Sequence, residues 1–422
     1  MKKQRLGVLS ILVLLALGLW FLPKRNSAGT SPDAVAAGHP TTAGAASETA
    51  ATHTPRIIPR AAGTVLRRPG SRRVPTTADA VAIGGRAPAA MPLASDFLKK
   101  LIDASGTRAT FTLPDGRAAA GTVELVQRDA DGVLLVQGRL SQPEAGFYFF
   151  QRQTVDGVAG AMVGNVRFDK SDTAFRVVPT GVNGTPMLVE HRLEQVVCLN
   201  LLPPDLARTA AADPQEIPGV HPIDIPIPGY QNGVVPLQSL PGAPGVIYLD
   251  FDGEQGPFSG WGDFNAAPTG ATNPQIKEVW QRVAEDFQAF NLNITTDRKI
   301  YDNATQGRRM HVILSPTTTA APGAGGVAYV GSFNNTGDTP CWAFYWTGKN
   351  AGEVVAHEVG HTLGLSHDGR VTPAEGYYGG HGSGETGWAP IMGVGYYQNL
   401  AQWSKGEYTS ANNTEDDLSI IV

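Results

Sequence analysis

The sequence predicts an α/β or α+β C-terminal domain preceded by a small β-rich region, and three patterns lead there. Residues 78–202 carry short runs of Val, Phe, Tyr and Thr between turn signals. Ten prolines then fall between Leu201 and Gly245. From Gly245 onward a strand, an amphipathic helix, further strands and a second helix follow in order. A length of 422 residues is enough for two ordinary domains. Charged residues are 17%, against roughly 25% in an average domain, while 50 Gly and 31 Pro favour strands and turns over long charged helices. A net charge of -5 argues against a large nucleic-acid surface, and two cysteines cannot build a disulfide scaffold or a Cys-based zinc module.

The N-terminus (1–25) places Lys2, Lys3 and Arg5 before an apolar run, Leu6 to Leu22, that ends at Pro23-Lys24-Arg25. A positive start and an apolar run describe an export signal. As a helix the run would span about 25 Å, slightly short of a bilayer core of about 30 Å. A cleaved signal peptide and a retained membrane anchor both fit, and either exports the remainder. The product would be secreted, or periplasmic and anchored to the cell envelope. Residues 26–77 are rich in Ala, Thr, Pro and Arg with few large apolar side chains, so a disordered linker is expected.

In the β-rich region, Ser95 caps a short helix starting at Asp96, and hairpin turns are expected at Pro114-Asp115-Gly116, Asp129 to Gly132, Asp156-Gly157 and Asn183-Gly184. It shows no nucleophile–base pair. Residues 203–244 read as a stiff, proline-rich connector. The C-terminal domain, 245–422, opens with a strand from Val246 that turns at Asp250 to Gly253. A helix with Asn273 as cap and Pro274 at its first position buries Ile276, Val279, Trp280, Val283, Phe287 and Phe290. Strands are expected at Leu292 to Thr296, Met310 to Ser315, Val327 to Phe333 and Trp342 to Trp346. The apolar end Ser419 to Val422 is expected to pack onto this domain or to mark a truncation.

The second helix, from near Asn350, carries the chemistry. His357 and His361 are four residues apart, so both imidazoles project from one face and reach one ion. Glu358 lies about a hundred degrees around the helix, beside that ion without being forced to ligate it. Gly364 sits where the chain must leave the helix, and the turn returns His367 as a third ligand. Three nitrogens leave a position for water, the arrangement of a catalytic zinc site. The spacing of His357, Glu358 and His361 recurs by chance in about one such chain in a hundred; Gly364 and His367 lower that to well under about one in ten thousand.

His357, Glu358, His361, Gly364 and His367 match all fixed positions of HExxHxxGxxH, so the sequence resembles the metzincin zinc peptidases, exported reprolysin-like members in particular. Trp388 to Gly393 looks like their methionine turn, with Met392 beneath the metal. The resemblance implies an α+β fold, a twisted mixed sheet carrying the active-site helix. It implies one catalytic Zn²⁺ held by His357, His361 and His367, with Glu358 as general base in the hydrolysis of peptide bonds by zinc-activated water. The substrate, a protein or peptide, would lie extended along the Val327–Phe333 edge strand. Membrane contact is expected through the N-terminal segment alone, and a monomer is expected. Where some metzincins carry a metal-side tyrosine, two residues after the methionine, this chain has Val394; Tyr396 and Tyr397 are nearest in sequence.

The β-rich region would then be a prodomain or an accessory domain. Cys198 has three readings: a thiolate blocking the metal, a disulfide with Cys341, or a buried thiol. His381 suits an exposed loop, Asp250 and Asp252 a strand-end turn, and Asp368 a contact that fixes the turn. An envelope-anchored adhesion protein with a structural zinc site, and a zinc hydrolase of non-peptide amides, are the rival readings.

Overall fold

The computed structural model describes residues 85–129, 132–155, 158–178, 185–199, 233–263 and 265–422. The expected signal or anchor (1–25), the linker (26–77) and most of the connector lie outside them. Among the described residues no helix is long and apolar enough to cross a membrane.

The first sheet is fully antiparallel. Its strands are β1 (Ala90–Pro92), β2 (Arg108–Thr112), β3 (Ala118–Asp129), β4 (Gly132–Gln142), β5 (Gly146–Val155), β6 (Val158–Phe168), β7 (Thr173–Val178) and β8 (Met187–Arg192). They lie in the order β1-β8-β7-β6-β5-β4-β3-β2. Helix α1 (Phe97–Leu101) covers one face; its cap is Asp96 rather than Ser95, and Asp96 pairs with Lys100 at 2.7 Å. Strand β5 explains why this sheet is buried on both sides. Side chains alternate across a strand, so Tyr148 and Phe150 pack with Leu98, Leu101 and Phe175 while Phe147 and Phe149 pack on the opposite face.

The second sheet adds β9 (Val197–Cys198), β10 (Gly245–Asp250), β13 (Leu292–Thr295), β14 (Arg309–Leu314), β15 (Gly326–Tyr329) and β16 (Cys341–Ala343), in the order β13-β10-β14-β16-β15-β9. Two short ribbons complete the strands, β11 (Glu254–Gln255) with β12 (Asn265–Ala266) and β17 (Trp388–Pro390) with β18 (Leu400–Gln402). Strands β13, β10, β14 and β16 are parallel, and β15 is antiparallel to β16. This is the mixed sheet expected from the sequence. One of its faces, through Ile247, Leu249, Val312 and Leu314, packs on α2 (Asn273–Asp286) and α4 (Gly348–Leu363). Its opposite face, through Ile313, Val327, Tyr329 and Trp342, meets Leu135, Phe147 and Phe149 of the first sheet together with Phe258 and Trp261. Gln137 ties the two sheets by donating to the Phe258 carbonyl and accepting from Gly260 N–H. The two sheets therefore share a core.

Several boundaries differ from the sequence reading. Thr272, not Asn273, caps α2, because its side chain and Gln275 form a reciprocal capping box. That helix stops at Asp286, and Phe287 and Phe290 are buried beyond its end. Residues 234–237 of the expected connector belong to the core of the second sheet: Val234, Val235 and Leu237 are buried there, and Leu237 exchanges bonds with Thr295 and Thr296. The expected edge strand is shorter, since Gly331 takes a left-handed conformation (φ 72°) and a 3-10 turn, Ser332–Asn334, follows. Asp297 caps α3 (Arg298–Asn303). The C-terminal helix α5 (Asp417–Ile421) buries Ile421 in the core beneath the second sheet.

Because Phe149 is 2% exposed between the sheets, with its ring 5.5 Å from that of Tyr329, Phe149→Ala should reduce the free energy of unfolding by about 3–5 kcal/mol. Denaturant melts of the full chain measure it. A loss below about 1 kcal/mol would mean that the sheets do not depend on a common core.

Candidate metal centre

Helix α4 passes through the core, and that is what dries the site. His357, Glu358 and His361 are 1%, 0% and 0% exposed. Glycine at 326 lets β15 approach closely: a Cβ there would stand 2.7 Å from Glu358 Cγ. Gly364 ends the helix in the left-handed region (φ 106°), and its N–H and that of Leu365 close onto the His361 and Gly360 carbonyls. The reversal brings His367 back, so that the ring centroids of His361 and His367 are 4.6 Å apart, against 4.7 Å for His357 and His361.

The turn at Met392 works from below. The Ile391 carbonyl accepts from His357 Nδ1 at 2.9 Å, and the Leu365 carbonyl accepts from His361 Nδ1 at 2.8 Å. A carbonyl can only accept, so each Nδ1 carries the proton and each Nε2 presents a lone pair. Asp368 N–H donates to the Met392 carbonyl, joining the third histidine's turn to the methionine turn. Burial, followed by Glu415, pushes the Asp368 carboxyl up to about 7.

Burial likewise draws His357 down to about 4 and His367 to about 3, and holds His361 well below the usual range, so the three rings are neutral. Burial pushes Glu358 well above the carboxylate range.

One residue arrives from far away in sequence. Strand β9 pairs antiparallel with β15, Cys198 opposite Ala328 and Val197 opposite Tyr329, and Val330 N–H donates to the Val196 carbonyl. This sets Cys198 Sγ 3.4 Å from His367 Nε2 and 4.0 Å from Glu358 Oε1. Ligand atoms of Cys198, His357, His361 and His367 all lie within 4.8 Å of one another. Neither cysteine is in a disulfide, so the bridge to Cys341, one of the three readings, does not form: the pairing of β9 on β15 directs Cys198 at the histidines, while Cys341 is buried in β16.

These residues fit a metal ion. Nε2 of His357 and Nε2 of His361 are 3.0 Å apart, and two lone pairs at that separation repel unless a cation lies between them. Bonds of 2.0–2.1 Å to a tetrahedral ion would put such nitrogens about 3.3 Å apart. Glu358 Oε2 is buried without a hydrogen-bond partner, and native proteins rarely leave such atoms unmatched.

The sequence reading missed Tyr377. Its ring lies 4.3 Å from that of His367 and 6.1 Å from that of His357. Tyr396 is a core residue whose ring contact is with Tyr397. His381 is exposed, as expected, and its Nδ1 bonds the Tyr378 hydroxyl at 3.0 Å. Asp250 closes the strand-end turn, its Oδ1 accepting from the N–H groups of Asp252 and Gly253.

Residues 276–368 match the profile of the reprolysin-like metallo-peptidases of family M12B. The match supports a metzincin-like, reprolysin-type metallopeptidase over these residues. The match runs from α2 to the residue after His367; the first sheet, β9, Tyr377 and Met392 lie outside it. No curated protein and no solved structure matches the chain at a significant level. For the reprolysin-like region the expected activity is zinc-dependent peptide hydrolysis, and its histidines can hold the ion.

The purified full chain should bind one zinc per molecule by elemental analysis, and His361→Ala should reduce this to background by removing the central donor. Full zinc retention in that variant would place the ion elsewhere.

Proposed function

We propose that this chain is an exported zinc endopeptidase held latent by its own β9 strand. The observation that carries the reading is the buried, unpartnered Glu358 carboxyl oxygen beside three neutral imidazoles. Zinc held by His357, His361 and His367 would supply a Lewis acid for the scissile carbonyl and lower the pKa of water toward 7. His357 and His361 are oriented for this by the Ile391 and Leu365 carbonyls. Glu358, ionised beside a dication despite its burial, takes the proton of the attacking water and delivers it to the departing amine. The backbone of β15 offers the substrate an extended strand partner, which favours loops and unfolded chains.

In the latent form β9 takes that edge and Cys198 supplies the fourth donor. The first sheet then acts as a prodomain, holding β9 in place through the shared core. With zinc bound by the histidines, a Cys198 thiolate on the ion would exclude both water and substrate. The same closure favours one rival, an envelope-anchored adhesion protein with a structural site, because structural zinc sites are closed by four protein ligands.

Casein cleavage by the full chain separates the two. Cys198→Ala should cleave faster than wild type, at least tenfold, and adding Glu358→Ala should reduce that rate by about 10²–10⁴-fold with zinc still bound. No cleavage by Cys198→Ala at one zinc per chain, both intact and after proteolytic nicking between Cys198 and Val234 to free β9, would support the adhesion reading; activity that survives Glu358→Ala would remove Glu358 as the base.

A further inference from the structure

Reaction at a peptide carbonyl builds negative charge on its oxygen, and a site gains most from donors already aimed at that position. The methionine-turn position that carries a tyrosine in some metzincins is Val394 here. The fold brings a different tyrosine to the metal. Tyr377, in the loop between His367 and Met392, lies with its ring 4.3 Å from the His367 ring and 6.1 Å from the His357 ring. Its hydroxyl is sealed from solvent, with the Cys198 thiol as its hydrogen-bonding neighbour and Glu358 also acting on it. The phenol thus shares one chamber with the imidazoles, the carboxyl and the thiol.

The loop fixes that placement. Before Tyr377, Glu375 forms a two-bond pair with Arg370, at 2.6 and 3.0 Å, and exchanges backbone bonds with it. After it, Tyr378 donates its N–H to the Asp368 carbonyl, accepts from Val394 N–H, stacks on Tyr408 at 4.4 Å and lies under the Arg370 guanidinium. Residues on both sides of Tyr377 are anchored, and one anchor is the neighbour of His367. A donor held this way needs no reorganisation when charge develops. Tyr396 has a buried hydroxyl without a partner, but its ring packs on Tyr397 rather than on the histidines.

We propose that Tyr377 is a catalytic residue, its hydroxyl donating a hydrogen bond to the carbonyl oxygen as that oxygen becomes negative, in the space that the Cys198 thiol fills in the latent form. No proton is transferred: the phenol keeps its hydrogen, and the proton lost by water goes through Glu358 to the amine. This rests on the hydrolytic reading above.

The test compares Tyr377→Phe with its parent, both in the full chain carrying Cys198→Ala. The ring and its packing are kept and only the donor is lost. kcat should fall about 10²–10³-fold with KM within about twofold and one zinc per chain retained. Affinity for a phosphinic peptide, a tetrahedral anion mimic, should weaken by a similar factor, while affinity for the corresponding cleaved peptide stays the same. An unchanged kcat and unchanged phosphinic affinity would overturn the assignment, as would a loss expressed in zinc content or thermal stability, which would make Tyr377 a structural residue. A parent that cleaves nothing, both intact and after nicking between Cys198 and Val234 to free β9, would overturn the hydrolytic reading itself, whatever the variant does.

Discussion

The site depends on one electrostatic constraint: neutral imidazoles and a carboxyl have been placed in a dry core with their lone pairs converging. Two backbone carbonyls commit the Nδ1 protons of His357 and His361, so their Nε2 atoms, 3.0 Å apart, have no hydrogen to share. Glu358 adds a fully buried carboxyl with one oxygen unpartnered. Such a cluster is costly without a cation, because buried polar atoms lose water and gain nothing in return. Much of the surrounding architecture serves this arrangement. Helix α4 is buried along most of its length, Gly326 lets β15 close over Glu358, and the Met392 turn carries the carbonyl that orients His357.

The same constraint explains why a segment of the N-terminal region reaches so far. A short strand such as β9 has few backbone bonds of its own to hold it on β15. It is supported by the Val197 side chain, which enters the core between the sheets, and by Cys198, which enters the catalytic core on the alternate face. Period-two alternation thus lets two adjacent residues do different work: Val197 fastens the strand to the first sheet and Cys198 meets the histidines. The aromatic run of β5 follows the same logic on a larger scale, with Phe147 and Phe149 facing the mixed sheet and Tyr148 and Phe150 facing α1.

The local part of this was legible in the sequence. The spacing of His357, Glu358, His361, Gly364 and His367 specifies a helix face and a turn, and both depend on residues within one short window. The mixed α and β content from Gly245 onward was legible too, because strands and helices differ in hydrophobic period. What the sequence could not carry was long-range pairing. Nothing in Val197-Cys198 announces β15 as its partner, so a blocking thiolate, a disulfide and a buried thiol were indistinguishable until the strand was placed. Tyr377 was invisible for a related reason: its approach to His367 depends on the Arg370–Glu375 pair and on Tyr378, not on a fixed distance from the motif. Helix ends shifted by a residue or two where caps competed, as when Thr272 and Gln275 outdid Asn273.

The central claim is that one ion is shared by three histidines and Cys198. Zinc K-edge X-ray absorption of the zinc-loaded full chain tests it most directly. The account predicts three nitrogen neighbours at about 2.0–2.1 Å and one sulfur at about 2.3 Å. A shell of nitrogen and oxygen alone would contradict it, showing that β9 lies on β15 without closing the metal site.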